Sequence, residues 1–271
     1  MKNIFFAFFL LLNSFLNSFD LNHSKLNGIL NKFVYNGLVD YQALKNDVAG
    51  LNEYLLDLKG LSAEKLNGFS EDDQKALWIN AYNAYTLKLI VDFYPVDSIK
   101  SISSKLGSMF SDSKQWKVSD YKASNNTNSV IFVAGNKYSL NDIEHKILRP
   151  KFNDYRIHFA IVCAAISCPK LQSFAFVGSK LDKQLNLSGK EFLSDQRRNS
   201  YDSQKNIAYL SKIFSWFKKD FAKNDTELVK VVAKYFPEKT AAQITKSAKV
   251  KYKKYNWKLN SKKLISSIKA N

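Results

Sequence analysis

Arg156-Ile-His-Phe-Ala-Ile-Val-Cys163-Ala-Ala-Ile-Ser-Cys168-Pro-Lys-Leu171 holds both cysteines of the chain and one of its three histidines, His158. Its first half is apolar at Ile157, Phe159, Ile161 and Val162, which reads as a strand buried in a sheet core. Its second half is small and polar and stops at Pro169. A strand that ends in a thiol beside a turn holds a reactive group rigidly at a sheet edge. The plainer reading makes both cysteines small core residues, since free Cys is among the most buried residue types. The surroundings of this stretch must decide between the two.

The chain has 271 residues, enough for one large domain or two small ones with a true core. Hydrophobic residues make up 45% and charged residues 24%, which points to a globular protein and away from disorder. The net charge of +17 comes mostly from Lys spread along the chain. No helix-turn-helix, zinc-finger or RNA-recognition pattern gathers that charge, so it reads as a solvated basic surface with no specific nucleic-acid partner. With 9 Gly and no phosphate-binding loop, a nucleotide fold is not expected. No His-x-x-x-His, zinc-type cysteine set or G-x-S-x-G elbow occurs, so neither a cofactor nor a metal is expected.

The N-terminus reads as a secretory signal peptide over residues 1–18. Lys2 supplies the positive start, Ile4 to Leu12 the apolar run, and Asn13 to Ser18 the polar-leaning end. No Ala-x-Ala marks the cleavage site, which is placed near Ser18, and a signal anchor is the alternative. Residues 19–271 are then one exported domain, periplasmic or extracellular, with no further stretch apolar enough for a membrane helix. Outside the cytosol, two cysteines five positions apart could form a disulfide, although so short a loop adds little stability.

Periodicity predicts helices over 21–36, ended by Gly37, and over 42–59, ended by Gly60. Ser70 followed by Asp72 and Asp73 is a strong helix start, and Pro95 places the end near Tyr94. Asn80 and Asn83 lie on one face of that helix among Trp and Tyr. They need partners there, either buried backbone or a catalytic imidazole that they orient. Val130 to Val133 and Tyr138 suggest a hairpin turning at Gly135-Asn136. Ser139 starts a further helix that contains Glu144 and His145 and is closed by Pro150. Beyond it come helices over 178–194, 210–221 and 225–236, a polar turn at 199–205, a short strand or helix lead at 207–210, and a half-buried strand in the tail from Val250 to Trp257. The whole is expected to be α+β, a single domain with helices packed on a small, mostly antiparallel sheet.

Five blocks, in order, resemble one family. They are Leu77 to Ala84, Tyr138 to Arg149, His158 to Pro169, Ile213 to Phe221 and Tyr255 to Asn260. Together they are similar to the DUF547 family, found in exported bacterial proteins and in plants, over residues 70–260. The resemblance implies a fold distantly related to papain-like or transglutaminase-like cysteine enzymes. Under it Cys163 matches the family thiol, Glu144 and His145 its Glu-His pair, and Asn80 and Asn83 its Asn pair. Cys168 matches a position where members also carry Ser, which speaks against an essential disulfide. Ala164-Ala165 stands where many members have Ala-Ser or Gly-Ser, so no hydroxyl role is carried over there.

The chemistry that follows is nucleophilic. A thiol needs a neighbouring base or positive field to ionise near neutral pH. His145 is the expected base for Cys163, with Glu144, Asn80 or Asn83 orienting the ring. His158 and Cys168 are secondary candidates. On a straight strand His158 lies about 16 Å from Cys163, too far to act. The expected function is a cysteine hydrolase or acyltransferase acting on an amide or ester of a small-molecule or peptide substrate. The alternatives are a non-catalytic envelope or extracellular binding domain on the same scaffold and, third, a thiol redox role of the cysteine pair.

Overall fold

The computed structural model describes residues 18–105, 131–245 and 247–262. The signal peptide expected over 1–18 falls almost entirely outside these residues, and Asn125-Asn126-Thr127-Asn128, which reads from its composition as an exposed loop, lies wholly outside them.

One helix organises the rest. It runs Glu71–Phe93 and is capped as expected, with the Asp73 N–H donating to Ser70 Oγ at 3.1 Å. Every residue from Gln74 to Val91 is buried. A helix apolar on all sides is one wrapped on all sides, and the remaining elements pack around it. Before it stand α1 (Ser24–Phe33), the hairpin strands β1 (Val34–Tyr35) and β2 (Leu38–Val39), α2 (Tyr41–Asn46), α3 (Ala49–Gly60) and α4 (Ala63–Gly68). The central helix is α5, followed by α6 (Lys100–Lys105).

The expected helix over 21–36 ends early because Asn36 and Gly37 turn the chain. Both have positive φ, 50° and 84°, the conformation of a two-residue hairpin loop. The expected helix over 42–59 is divided into α2 and α3, and Asp40 caps the first piece by accepting from the Ala43 N–H.

The hairpin β3 (Ile131–Val133) and β4 (Asn136–Tyr138) is present, with its turn at Ala134-Gly135, one position earlier than expected. Ser139 then forms a capping box with Asp142. The next helix is α7 (Leu140–Asp142), which widens into a π-helical segment, Ile143–Leu148, before α8 (Arg149–Phe152). Pro150 therefore does not close the helix. Its missing N–H falls where the ladder has already shifted, as the Arg149 N–H reaches back five residues to the Glu144 carbonyl.

The largest correction concerns the opening stretch. Residues Tyr155–Phe159 form a 3-10 helix, and Ala160 to Cys168 follow as turns and extended chain outside any strand, with one isolated bridge from Ala165 to Leu259. The apolar side chains are buried as a strand's would be, but side chains satisfy the backbone. Asp154 accepts from the Arg156 N–H, and Asn83 accepts from Val162 and donates to Ala160. Buried polar groups need partners, not a ladder in particular.

The chain continues through a 3-10 turn (Gly178–Lys180), α9 (Leu181–Ser194), β5 (Ser200–Asp202) and β6 (Ile207–Leu210). Then come α10 (Ile213–Trp216), α11 (Lys218–Phe221), α12 (Asp225–Ala233), α13 (Glu238–Ala241) and β7 (Lys249–Tyr252). The aromatic helix expected over 210–221 is thus two short helices. β5 pairs antiparallel and β7 parallel with β6. Small antiparallel hairpins and one mixed sheet among many helices make the fold α+β. A second apolar cluster, built on Phe159, Phe192, Phe214 and Phe221, lies beside the core around α5.

Candidate functional site

Two groups of polar side chains meet where the 155–168 segment passes the π-helical turn. The first is a thiol pocket. Cys163 is partly buried and Cys168 fully so, and both are free thiols. The segment turns between them at Ala164, whose φ is 56°. Its carbonyl accepts from Asn260, and the Ile166 and Ser167 N–H groups donate to the carbonyls of Lys258 and Asn256. Ala165 bridges to Leu259, so the C-terminal stretch pins the turn from end to end.

This pinning aims several donors at Cys168. The Cys163 N–H donates to its sulfur at 3.1 Å, and the Tyr255 hydroxyl lies 3.1 Å from it and 3.4 Å from the sulfur of Cys163. Burial pushes the Cys168 thiol up, but the Cys163 thiol, the Tyr255 hydroxyl and the N–H groups of Ala165 and Cys163 outweigh it and bring it down to about 7. The Cys163 thiol is pushed up, first because it donates to Cys168 and then by burial. The pair therefore shares one proton near neutral pH, and the negative charge rests on Cys168, where the donors converge.

Glu144 forms a wall of the same pocket. Burial pushes its carboxyl up to about 7, against the pull of Arg149 and of a 3.4 Å hydrogen bond from the Tyr82 hydroxyl.

The second group is charged. Arg149 grips Asp220 with two hydrogen bonds, Nε to Oδ2 at 2.6 Å and Nη2 to Oδ1 at 2.8 Å. His158 Nε2 is 2.7 Å from Asp220 Oδ2. The Asp220 carboxylate is held well below the usual range: burial opposes this, but the bonds from Arg149 and His158 prevail. His145 Nδ1 lies 2.7 Å from Arg149 Nη1. A guanidinium only donates, so Nδ1 must be the acceptor and a neutral ring carries its proton on Nε2. Burial keeps both imidazoles below their ordinary value, aided at His145 by Arg149 and opposed at His158 by Asp220. His158 also stacks on Phe217 with ring centroids 4.1 Å apart.

Consecutive residues join the two groups. Phe217 packs on His158, while Trp216 packs on Tyr255 at 4.7 Å. Trp257 stacks on Trp216, Tyr255 is tilted against both, and Trp216 is 44% exposed, so an aromatic ledge at the surface adjoins the thiol pocket through Tyr255.

Among the expected residues, Cys163, Cys168 and Glu144 therefore come together, and His145 and His158 meet through Arg149 and Asp220. The hydrogen-bond partners of Cys163 are Cys168 and Tyr255, not an imidazole. With 155–159 helical, the straight-strand distance that set His158 aside no longer applies. Asn83 holds the backbone at Ala160 and Val162, just ahead of Cys163, and Asn80 holds both the N–H and the carbonyl of Phe176. Neither Asn hydrogen-bonds an imidazole; both fasten loops to α5.

Three participants were not singled out from the sequence: Arg149, Asp220 and Tyr255. Arg149 had a signal, since it stands four residues from His145 on one helix. Asp220 is a lone acid in an aromatic segment, and Tyr255 lies 92 residues from Cys163, so neither had one beyond its block.

Residues 66–193 match the family model described as protein of unknown function, DUF547. The chain carries a DUF547 domain. The match takes in the blocks at 77–84, 138–149 and 158–169. The blocks at 213–221 and 255–260, which supply Asp220, Phe217 and Tyr255, lie beyond it, so the site is built from the DUF547 domain and the chain after it. No curated protein and no solved structure matches the sequence. Among the described residues no helix is long and apolar enough to cross a membrane, and no cluster of His, Cys, Asp and Glu could hold a metal ion.

Proposed function

We propose that this DUF547 protein is an exported cysteine-dependent hydrolase or acyltransferase, acting on an amide or ester bond of a small molecule or peptide, with Cys163 as nucleophile. The observation that carries this reading is a partly exposed cysteine on a turn pinned by backbone bonds, in a site that also holds an imidazole backed by a carboxylate. In the proposed reaction the Cys163 sulfur attacks the carbonyl carbon. Its proton passes to a base and then to the leaving group, and water or an acceptor releases the acyl group from sulfur.

The base in this proposal is His158. Its Nε2–H donates to Asp220, which leaves Nδ1 as the acceptor, the arrangement of a carboxylate-oriented general base. His145, the base expected from sequence, has its Nδ1 occupied by Arg149. It is assigned instead as a donor through Nε2–H. Glu144, neutral up to about pH 7, lines the pocket without adding charge. Asn83 and Asn80 are positioning residues.

The test is intact-protein mass spectrometry after mixing with activated esters and amides. An acyl adduct should form on Cys163, vanish in Cys163→Ala and form roughly 100-fold more slowly in His158→Gln. Adducts at equal rate in all three proteins, or none in any, would overturn the reading. One observation favours a second reading, a binding domain on the same scaffold: the Cys163 thiol is held protonated and meets no imidazole. The aromatic ledge of Trp216, Tyr255 and Trp257 would then be its contact surface.

A further inference from the structure

We propose that Cys163 and Cys168 form a reversible dithiol–disulfide couple, with Cys163 the entering thiol and Cys168 the resolving one. The juxtaposition that points to it is that both sulfurs are free and lie within 3.4 Å of one hydroxyl oxygen, that of Tyr255. The Cys163 N–H also rests on the Cys168 sulfur at 3.1 Å. The turn between them is held by backbone bonds to residues 256–260. The reduced pair is thus already assembled by the backbone. Closing the disulfide calls for side-chain rotation and the departure of the Tyr255 hydroxyl, and opening it leaves the turn in place.

Exposure fixes the order of events. Cys163 is the partly exposed residue of the pair, whereas Cys168 is 2% exposed. With a small-molecule disulfide as oxidant, the Cys163 sulfur, after losing its proton, attacks one sulfur of the oxidant. A mixed disulfide forms and one thiolate leaves. The Cys168 thiolate then attacks the Cys163 sulfur, closes the intramolecular bond and expels the second thiolate. The two protein sulfurs are oxidised and the oxidant is reduced to one thiol, which carries the proton of Cys163, and one thiolate, which takes a proton from solvent. Donors directed at Cys168 favour the reduced form, because only there do they face a thiolate. The couple is therefore poised to be more oxidising than an unassisted pair.

This inference does not rest on hydrolysis, although oxidation would occupy the sulfur assigned as nucleophile. The experiment equilibrates the full chain in glutathione buffers of graded disulfide-to-thiol ratio, followed by acid quench, alkylation and peptide mass spectrometry. One tryptic peptide, 157–170, contains both cysteines. It should pass from two alkyl groups to none in a single transition, with the loss of two hydrogens. Cys168→Ser should instead stop at one glutathione on Cys163. Tyr255→Phe should shift the midpoint about tenfold toward more reducing buffer, since a hydrogen bond to the reduced thiolate is lost. Two alkyl groups at every ratio, or separate glutathione adducts on the two wild-type cysteines, would overturn the couple. Ester turnover without the disulfide would support the nucleophile alone, and the disulfide without turnover would support the couple alone.

Discussion

Glu144 and Asp220 are two carboxyls that both feel Arg149, yet they end in opposite states. Glu144 is 9% exposed, takes one long hydrogen bond from Tyr82 and is pushed up to about 7. Asp220 takes two bonds from Arg149 and one from His158 and stays ionised far into acid. Burial penalises both charges, and the donors in contact decide the outcome. The same rule separates the two sulfurs, since the donors converge on Cys168 and its charge leaves Cys163 protonated. The site thus sets a charged, fully partnered cluster beside a pocket of neutral acids that admits a single negative charge.

Breaking the charged side should have the largest effect. Asp220→Ala strands Arg149 and His158 together and should cost about 3 kcal/mol in urea unfolding, below the full cost of a deeply buried pair because the Arg149 and Asp220 side chains are 28% and 21% exposed. The pH dependence has a definite sign. The folded-state pKa of Asp220 is depressed, so its contribution is complete above the unfolded value near 4 and is lost as pH falls through the folded one. The acid limb of stability below pH 4 should therefore flatten in the variant. A variant as stable as wild type, with an unchanged acid limb, would remove the contrast.

Glu144→Gln should act in the opposite direction. A folded pKa raised to about 7 means that the protein gives up stability as pH rises from the unfolded value of 4.5 through 7. The neutral amide avoids that loss. The variant should match wild type below pH 4 and exceed it by up to about 3 kcal/mol at pH 8. Equal stability at both pH values would place Glu144 with Asp220 and not opposite it.

Much of the scaffold was legible in the sequence because its signals are local. Ser70 with its acids starts α5, and Ser139 with Asp142 starts the helix of Glu144 and His145. The site was less legible because its decisive partners are distant. The run at 157–162 reads as a strand by composition alone. It becomes a 3-10 turn and extended chain because Asn83, on another helix, supplies the bonds a sheet would have supplied. The π-helical segment is set by packing and leaves no sequence period. Asp220 and Tyr255 acquire their roles only when the chain after residue 193 folds back over the DUF547 domain.

The rate at which iodoacetamide labels Cys163, followed against pH in reduced wild type, His158→Gln and Asp220→Asn, tests the central claim most directly. Labelling should be confined to Cys163, with an inflection above the ordinary thiol value because the neighbouring Cys168 thiolate holds its proton, and with both variants labelled at least about tenfold more slowly at neutral pH. An inflection at the ordinary thiol value near 8.5, unchanged in the two variants, would contradict it.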